Sequence, residues 1–176
     1  MTEPKGCTVW MTGLPASGKT TIALELEQRF KAMGRNVEIL DGDEVRKGLS
    51  SDLGFSKEDR QQHAKRVTFV AKVLTRNDVI VLVGLISPFK AFRQAAREEI
   101  GDFLEVFVDT SLDECIRRDP KGLYKLALDG KIKDLTGLQD PYEAPEDPEL
   151  VIPTEDVTVE QAADMVMDTL KDHGYL

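Results

Sequence analysis

Residues 13–21 read GLPASGKTT, and no other stretch restricts the fold so tightly. Gly13, Gly18, Lys19 and Thr20 satisfy G-x-x-x-x-G-K-[ST], a loop whose backbone N–H groups wrap a nucleotide phosphate, and the pattern carries meaning only between a strand and a helix. Both flanks fit: the apolar run CTVWMT precedes the loop and the helix-spaced IALELEQRF follows it. The candidate nucleotide-binding stretch is thus Gly13, Leu14, Pro15, Ala16, Ser17, Gly18, Lys19, Thr20 and Thr21. Lys19 is placed to reach the β- and γ-phosphates, and Thr20 to hold Mg²⁺. The alternative, a glycine-rich turn with a chance lysine, is opposed by strand, loop and helix falling in register.

The rest of the chain has the alternation this loop requires. Strand-like runs occur at CTVWMTG, NVEILDG, DVIVLVGLIS, FLEVFVDT and ELVIPT, and helical patterns at about 18–33, 59–76, 90–100, 111–118 and 158–172. Several strands are nearly continuous valine and isoleucine runs, as in a parallel sheet covered on both faces. The expected fold is a three-layer α/β P-loop kinase, a mainly parallel sheet with helices on both sides. At 176 residues the chain suits one domain, 1–176. Residues 119–148 break the rhythm with four prolines, three glycines and many charges. So long an insertion in a compact domain reads as a functional lid.

The second expected strand ends in DGD, which sends Asp41 and Asp43 to the carboxyl edge of the sheet, where open α/β folds bind ligands. A capped turn would also account for them, but two carboxylates beside a phosphate loop suit a Mg²⁺ ligand and a base for an acceptor hydroxyl. The net charge of −9 argues against nucleic acid or an anionic membrane as partner. Against that background, the cations Arg46, Arg60, Lys65 and Arg66 point to a second anionic substrate, with ordinary solvated helix charge as the rival. Phe55, in the polar loop LGFS, is open to two readings, a platform for a base or a small core anchor. Cys7 and Cys115 form neither a disulfide framework nor a metal-ligand spacing. No apolar run spans a bilayer, and MTEPKG lacks the regions of a secretory signal, so the expected location is cytoplasmic.

The ordered set GLPASGKTT, DGDEVR, LGFSKEDR, LISPF, RDPKGLY and LTGLQDPYEAPEDPEL resembles the adenylyl-sulfate kinases from about residue 6 to 155. The resemblance implies transfer of the γ-phosphoryl group of ATP to the ribose 3′-hydroxyl of adenosine 5′-phosphosulfate (APS), giving 3′-phosphoadenosine 5′-phosphosulfate (PAPS). It implies that Asp43 aligns and activates the 3′-hydroxyl with Mg²⁺ nearby, that Asp41 assists and shares the metal, and that Arg46 and Arg60 grip the phosphosulfate. Phe55 would lie on the acceptor adenine. Ile86 and Ser87 would form the acceptor-binding turn, with Ser87 either catalytic or a simple strand-end residue. Lys121, Gly122 and Leu123 would form the acceptor side of the lid, and Arg118 would pack on the ATP adenine. Homodimerisation and a functional partnership with an ATP sulfurylase come with the resemblance.

Three departures from the family pattern stand out. Gln62-His63-Ala64-Lys65-Arg66 replaces ENIRR, which makes His63 a replacement in the acceptor site rather than a metal ligand. Leu135 stands in LTG where FTG is usual, so an aromatic sandwich on the acceptor adenine would lose one side. Pro15 and Ala16 replace serine and glycine in the phosphate loop. Two rival readings follow, a related kinase of another hydroxyl compound and a non-catalytic nucleotide-binding module. The lid motifs oppose the first, and retention of Lys19, Thr20, Asp41, Asp43 and Arg46 opposes the second.

Overall fold

The computed structural model describes residues 5–176. Five strands, β1 (Cys7–Thr12), β2 (Val37–Asp41), β3 (Ile80–Gly84), β4 (Phe103–Asp109) and β5 (Leu150–Pro153), form one sheet in the order β2-β3-β1-β4-β5. Every pairing is parallel. Helices α1 (Lys19–Ala32), α2 (Gly42–Leu49), α3 (Lys57–Thr75), α4 (Lys90–Ile100), α5 (Leu112–Arg118), α6 (Leu123–Leu128) and α7 (Val159–Asp172) make the connections.

Strand residues alternate between two cores, which is why the strands read as unbroken apolar runs. Cys7, Val9 and Met11 of β1 join Ile80, Leu82, Leu104 and Val106 beneath Ile22, Leu26 and Phe30 of α1 and Val166 and Leu170 of α7. Trp10, Val81 and Val83 face the other way, toward Val67 and Ala71 of α3 and Ala96 of α4. Each face buries apolar area only because a helical layer covers it. The sheet thus has two helical layers, as the alternation predicts. Among the described residues, no helix is long and apolar enough to cross a membrane.

The five strands and five helices expected from sequence all form, with edges shifted by a few residues. β3 stops at Gly84 and does not run on to Ser87. α3 begins at Lys57, where the Ser56 hydroxyl accepts the Asp59 N–H. Two further helices carry no sequence signal of their own. α2 spans only eight residues, with Val45 and Leu49 its one apolar pair, and α6 lies inside the irregular 119–148 segment. The order of the strands creates the switch point: α1 leads from β1 toward β2, whereas α4 leads from β3 out to β4. Ligands of open α/β sheets bind in the crevice outside the strands' carboxyl ends at such a point.

Candidate active site

The loop after β1 enters α1 through Gly18, whose φ of +108° is a left-handed conformation that glycine adopts without strain. Gly13 is fixed by crowding, since a Cβ there would lie 2.6 Å from the Val108 carbonyl oxygen. α1 carries no acidic residue in its own first turn, and the positive end of the helix suits an anion. Lys19 folds over the loop, its Nζ donating to the Gly13 and Leu14 carbonyls, each at 2.8 Å, and to Ser17 Oγ at 3.2 Å. Burial lowers its pKa to about 8.

Asp41 closes β2 and Asp43 sits in the first turn of α2, so both lie beside the phosphate loop. Thr20 Oγ1 donates to Asp41 Oδ1 at 2.8 Å. A hydroxyl and a carboxylate paired at the loop's mouth fit Mg²⁺, which takes one or two protein oxygens and completes its shell with water and substrate phosphates. Asp43 meets Lys121, which reaches in from the 119–148 segment.

These groups open onto one cavity of about 1250 Å³. Of the residues that the motifs and the resemblance assign to the site, all line it except Gly13, Leu14 and Gly122. Two of the four cations stay apart from it: Lys65 is outside the lining, and Arg66 pairs with Asp52 at 2.6 Å. On one side of the cavity, Arg46 donates to the Gly54 carbonyl at 2.7 Å, and its guanidinium lies 4.5 Å from the centre of the Phe55 ring. That ring is 64% exposed, so it is not a core anchor. Arg60 ties α3 to the 119–148 segment through the Asp134 carbonyl, Thr136 Oγ1 and the Asp140 carboxylate. On the opposite side Arg118 pairs with Glu114 at 2.8 Å and donates to Thr154 Oγ1 at 3.2 Å. Its neighbour Arg117, followed by Arg118, holds the Glu114 carboxyl down at about 2.

Three candidates sit differently from the simplest expectation. Ser87 has φ +46° and is 8% exposed, with its Oγ accepting from the Trp10 indole at 3.0 Å. Its carbonyl accepts from the buried Arg93, which also donates to the Glu143 carbonyl and pairs with Glu105. The hydroxyl thus has a scaffold partner and the turn is held by its backbone. Leu135 is packed with Cys115, Tyr124 and Ala127 while forming part of the cavity wall, and Leu123 packs on the same cluster. His63 Nδ1 lies 2.8 Å from Ser50 Oγ, joining α3 to the end of α2.

Sequence reasoning misses Tyr124 and Thr154, which also line the cavity. Tyr124 closes the motif RDPKGLY, so its signal is within reach. Thr154 follows β5 with no motif to mark it.

Burial, then Arg46 and Arg66, lowers the His63 pKa from 6.5 to about 4. Between those values the unfolded chain binds a proton that the fold excludes, so stability falls as pH drops through this window. His63→Asn is expected to flatten that part of the pH profile, as measured by denaturant titrations at pH 7, 5.5 and 4. Parallel profiles for the two proteins would reject the assignment.

A family model described as adenylylsulphate kinase matches residues 5–153. The adenylyl-sulfate kinase of Synechococcus sp. (strain JA-3-3Ab) is 51% identical over 172 residues, with 98% of each chain covered. An APS kinase of Mycobacterium tuberculosis, solved in complex with AMPPNP and APS, is similar with a TM-score of 0.92 at 42% identity, covering 96% of this chain and 99% of that one. A hexameric APS kinase from Thiobacillus denitrificans gives a TM-score of 0.75 at 34% identity, covering 99% of this chain but 30% of that one.

Proposed function

The chain belongs to the adenylylsulphate kinase family, and we infer from the site that it carries out that family's phosphoryl transfer with the residues gathered around the cavity. The enzyme transfers the γ-phosphoryl group of ATP to the 3′-hydroxyl of APS, giving PAPS and ADP. The observation that carries this reading is the single cavity joining the phosphate loop, Asp43 and the Arg46–Phe55 pair. It offers a triphosphate end and an aromatic, cationic end on either side of one carboxylate.

In the proposed mechanism, residues 13–21 hold the ATP phosphates through backbone N–H groups, and Lys19 compensates charge on the γ-phosphoryl group as it moves. Arg118 flanks the ATP adenine. Phe55 stacks on the acceptor adenine, while Arg46 and Arg60 meet its phosphosulfate. Ile86 and Ser87 border the acceptor through their backbone, and His63, Lys121, Gly122, Leu123 and Leu135 complete its surroundings. Asp43 takes the 3′-hydroxyl proton as the oxygen attacks phosphorus and the bond to the ADP oxygen breaks. Thr20 and Asp41, with Asp43 close by, would hold Mg²⁺, which supplies charge neutralisation at the β- and γ-phosphates when bound.

We propose one kinase domain over 1–176, with 119–148 as its lid. Homodimers or larger homo-oligomers are supported by the hexameric relative. The reading also includes functional partnership with an ATP sulfurylase as the source of APS. The two buried free thiols suit a reducing, cytoplasmic setting.

Turnover with ATP, Mg²⁺ and a panel of hydroxyl acceptors tests the reading, and a clear preference for a sugar or another nucleoside over APS would defeat it. The acceptor side has its own test. Phe55→Ala is expected to weaken APS binding by about 1–3 kcal/mol, the range for a lost base stack, and to leave ATP affinity and the melting temperature nearly unchanged. Arg46→Ala should likewise cost APS far more than ATP, by about 1.5–3 kcal/mol. Leu135→Phe enlarges a packed cluster and is expected to lower stability by about 1–3 kcal/mol. Calorimetric titration with each nucleotide, alongside thermal melts, checks all three, and equal losses for ATP and APS would remove the acceptor assignment.

A further inference from the structure

Residues 14–17 close a tight turn in which the Ser17 N–H donates to the Leu14 carbonyl at 3.2 Å. Pro15 fixes φ near roughly −65° at the second position, and Ala16 has φ +65° at the third. That combination is a type II turn, which favours glycine where this chain has alanine. A type I turn, reached chiefly by flipping the Pro15–Ala16 peptide, would spare alanine the strained left-handed region. Some contact outside the turn must therefore hold the peptide in its observed orientation.

Tyr124 makes that contact. Its Oη donates to the Pro15 carbonyl at 2.9 Å across 109 residues of sequence. The side chain is fully buried with Cys115, Ala127 and Leu135, and Leu14 and Ala16 pack on the same cluster. Burial, then the Cys115 thiol, pushes the phenol pKa up, so the group remains a donor at neutral pH. The 119–148 segment grips the turn at a second point: Gly137 has φ +90°, and a Cβ there would lie 2.5 Å from Leu14 Cδ2.

We infer that Tyr124 is a positioning residue that holds the Pro15–Ala16 peptide in its type II orientation, so that the 119–148 segment sets the shape of the phosphate loop. In a trans peptide the carbonyl and the N–H point in opposite directions. With the Pro15 carbonyl drawn to Tyr124, the Ala16 N–H is presented on the opposite face of the loop, as a donor for phosphate. The inference rests on the reading of residues 13–21 as the ATP site.

The test uses the full chain with Tyr124→Phe, Ala16→Gly and the two combined, reading AMPPNP affinity, kcat/KM for ATP and melting temperature. Tyr124→Phe keeps the ring and removes only the donor. It is expected to weaken AMPPNP and lower kcat/KM for ATP by about three- to tenfold. Glycine enters the left-handed region freely, so Ala16→Gly should recover most of that loss, with a gain at least about threefold larger than its effect in the parent. Additive effects of the two changes on AMPPNP binding would overturn the inference. So would a lowered melting temperature with AMPPNP binding unchanged, in a protein where Lys19→Ala still impairs use of ATP. If Lys19→Ala has no effect on ATP either, the reading of the site fails and the inference falls with it.

Discussion

Lys19→Ala is expected to lower kcat by about 10²-fold or more, the scale of a preorganised electrostatic contact removed from a transition state. The side chain is buried, and its ammonium is held by the Gly13 and Leu14 carbonyls at the phosphate loop. Truncation leaves no other cationic side chain within the loop to meet charge on the γ-phosphoryl group. Because burial brings the Lys19 pKa to about 8, kcat/KM for ATP should fall as pH rises through that value, since this parameter reports groups on the free enzyme. The fall should be absent from the residual activity of Lys19→Ala. Steady-state rates from pH 6.5 to 9.5 check both effects, and a near-parental kcat would assign charge compensation to another group.

Asp43→Asn is expected to abolish most turnover while ATP still binds. The amide preserves size but cannot take the hydroxyl proton, and loss of a positioned base commonly costs about 10²–10⁴-fold. Asp43 is exposed beside Lys121, so the exchange removes no buried charge pair and should leave the melting temperature close to that of the parent. ATP titration combined with single-turnover transfer to APS separates binding from chemistry. Parent-like single-turnover rates would move the base elsewhere, with Asp41 the next carboxylate along the same edge.

The sequence is most informative where function and fold are written in neighbouring residues. GLPASGKTT between an apolar run and a helical pattern establishes the phosphate loop, and unbroken apolar strands establish a parallel sheet covered on both faces. Those signals are local because a loop's shape depends on its own glycines and a strand's burial on its own side chains. The ordered motifs from DGDEVR to DPYEAP point to the family, and the cavity gathers most of the residues they name. Helix α2 escapes because it is eight residues long, and one apolar pair, Val45 and Leu49, is too few to establish a repeat.

Only the tertiary structure decides which partners meet across the chain. Trp10 and Ser87 are 77 residues apart, yet their contact turns the serine hydroxyl inward. Phe55 reads equally as a platform or an anchor until its neighbours are known, and its exposure shows that the core does not claim it. Leu135 reads as cover for a ligand, but packing against Cys115 and Tyr124 also makes it part of the framework. The bond from Tyr124 to Pro15 joins two motifs that are each legible separately. Sequence periodicity records which side of an element is buried, whereas the orientation of a peptide or hydroxyl depends on a donor or acceptor that only folding brings within hydrogen-bond distance.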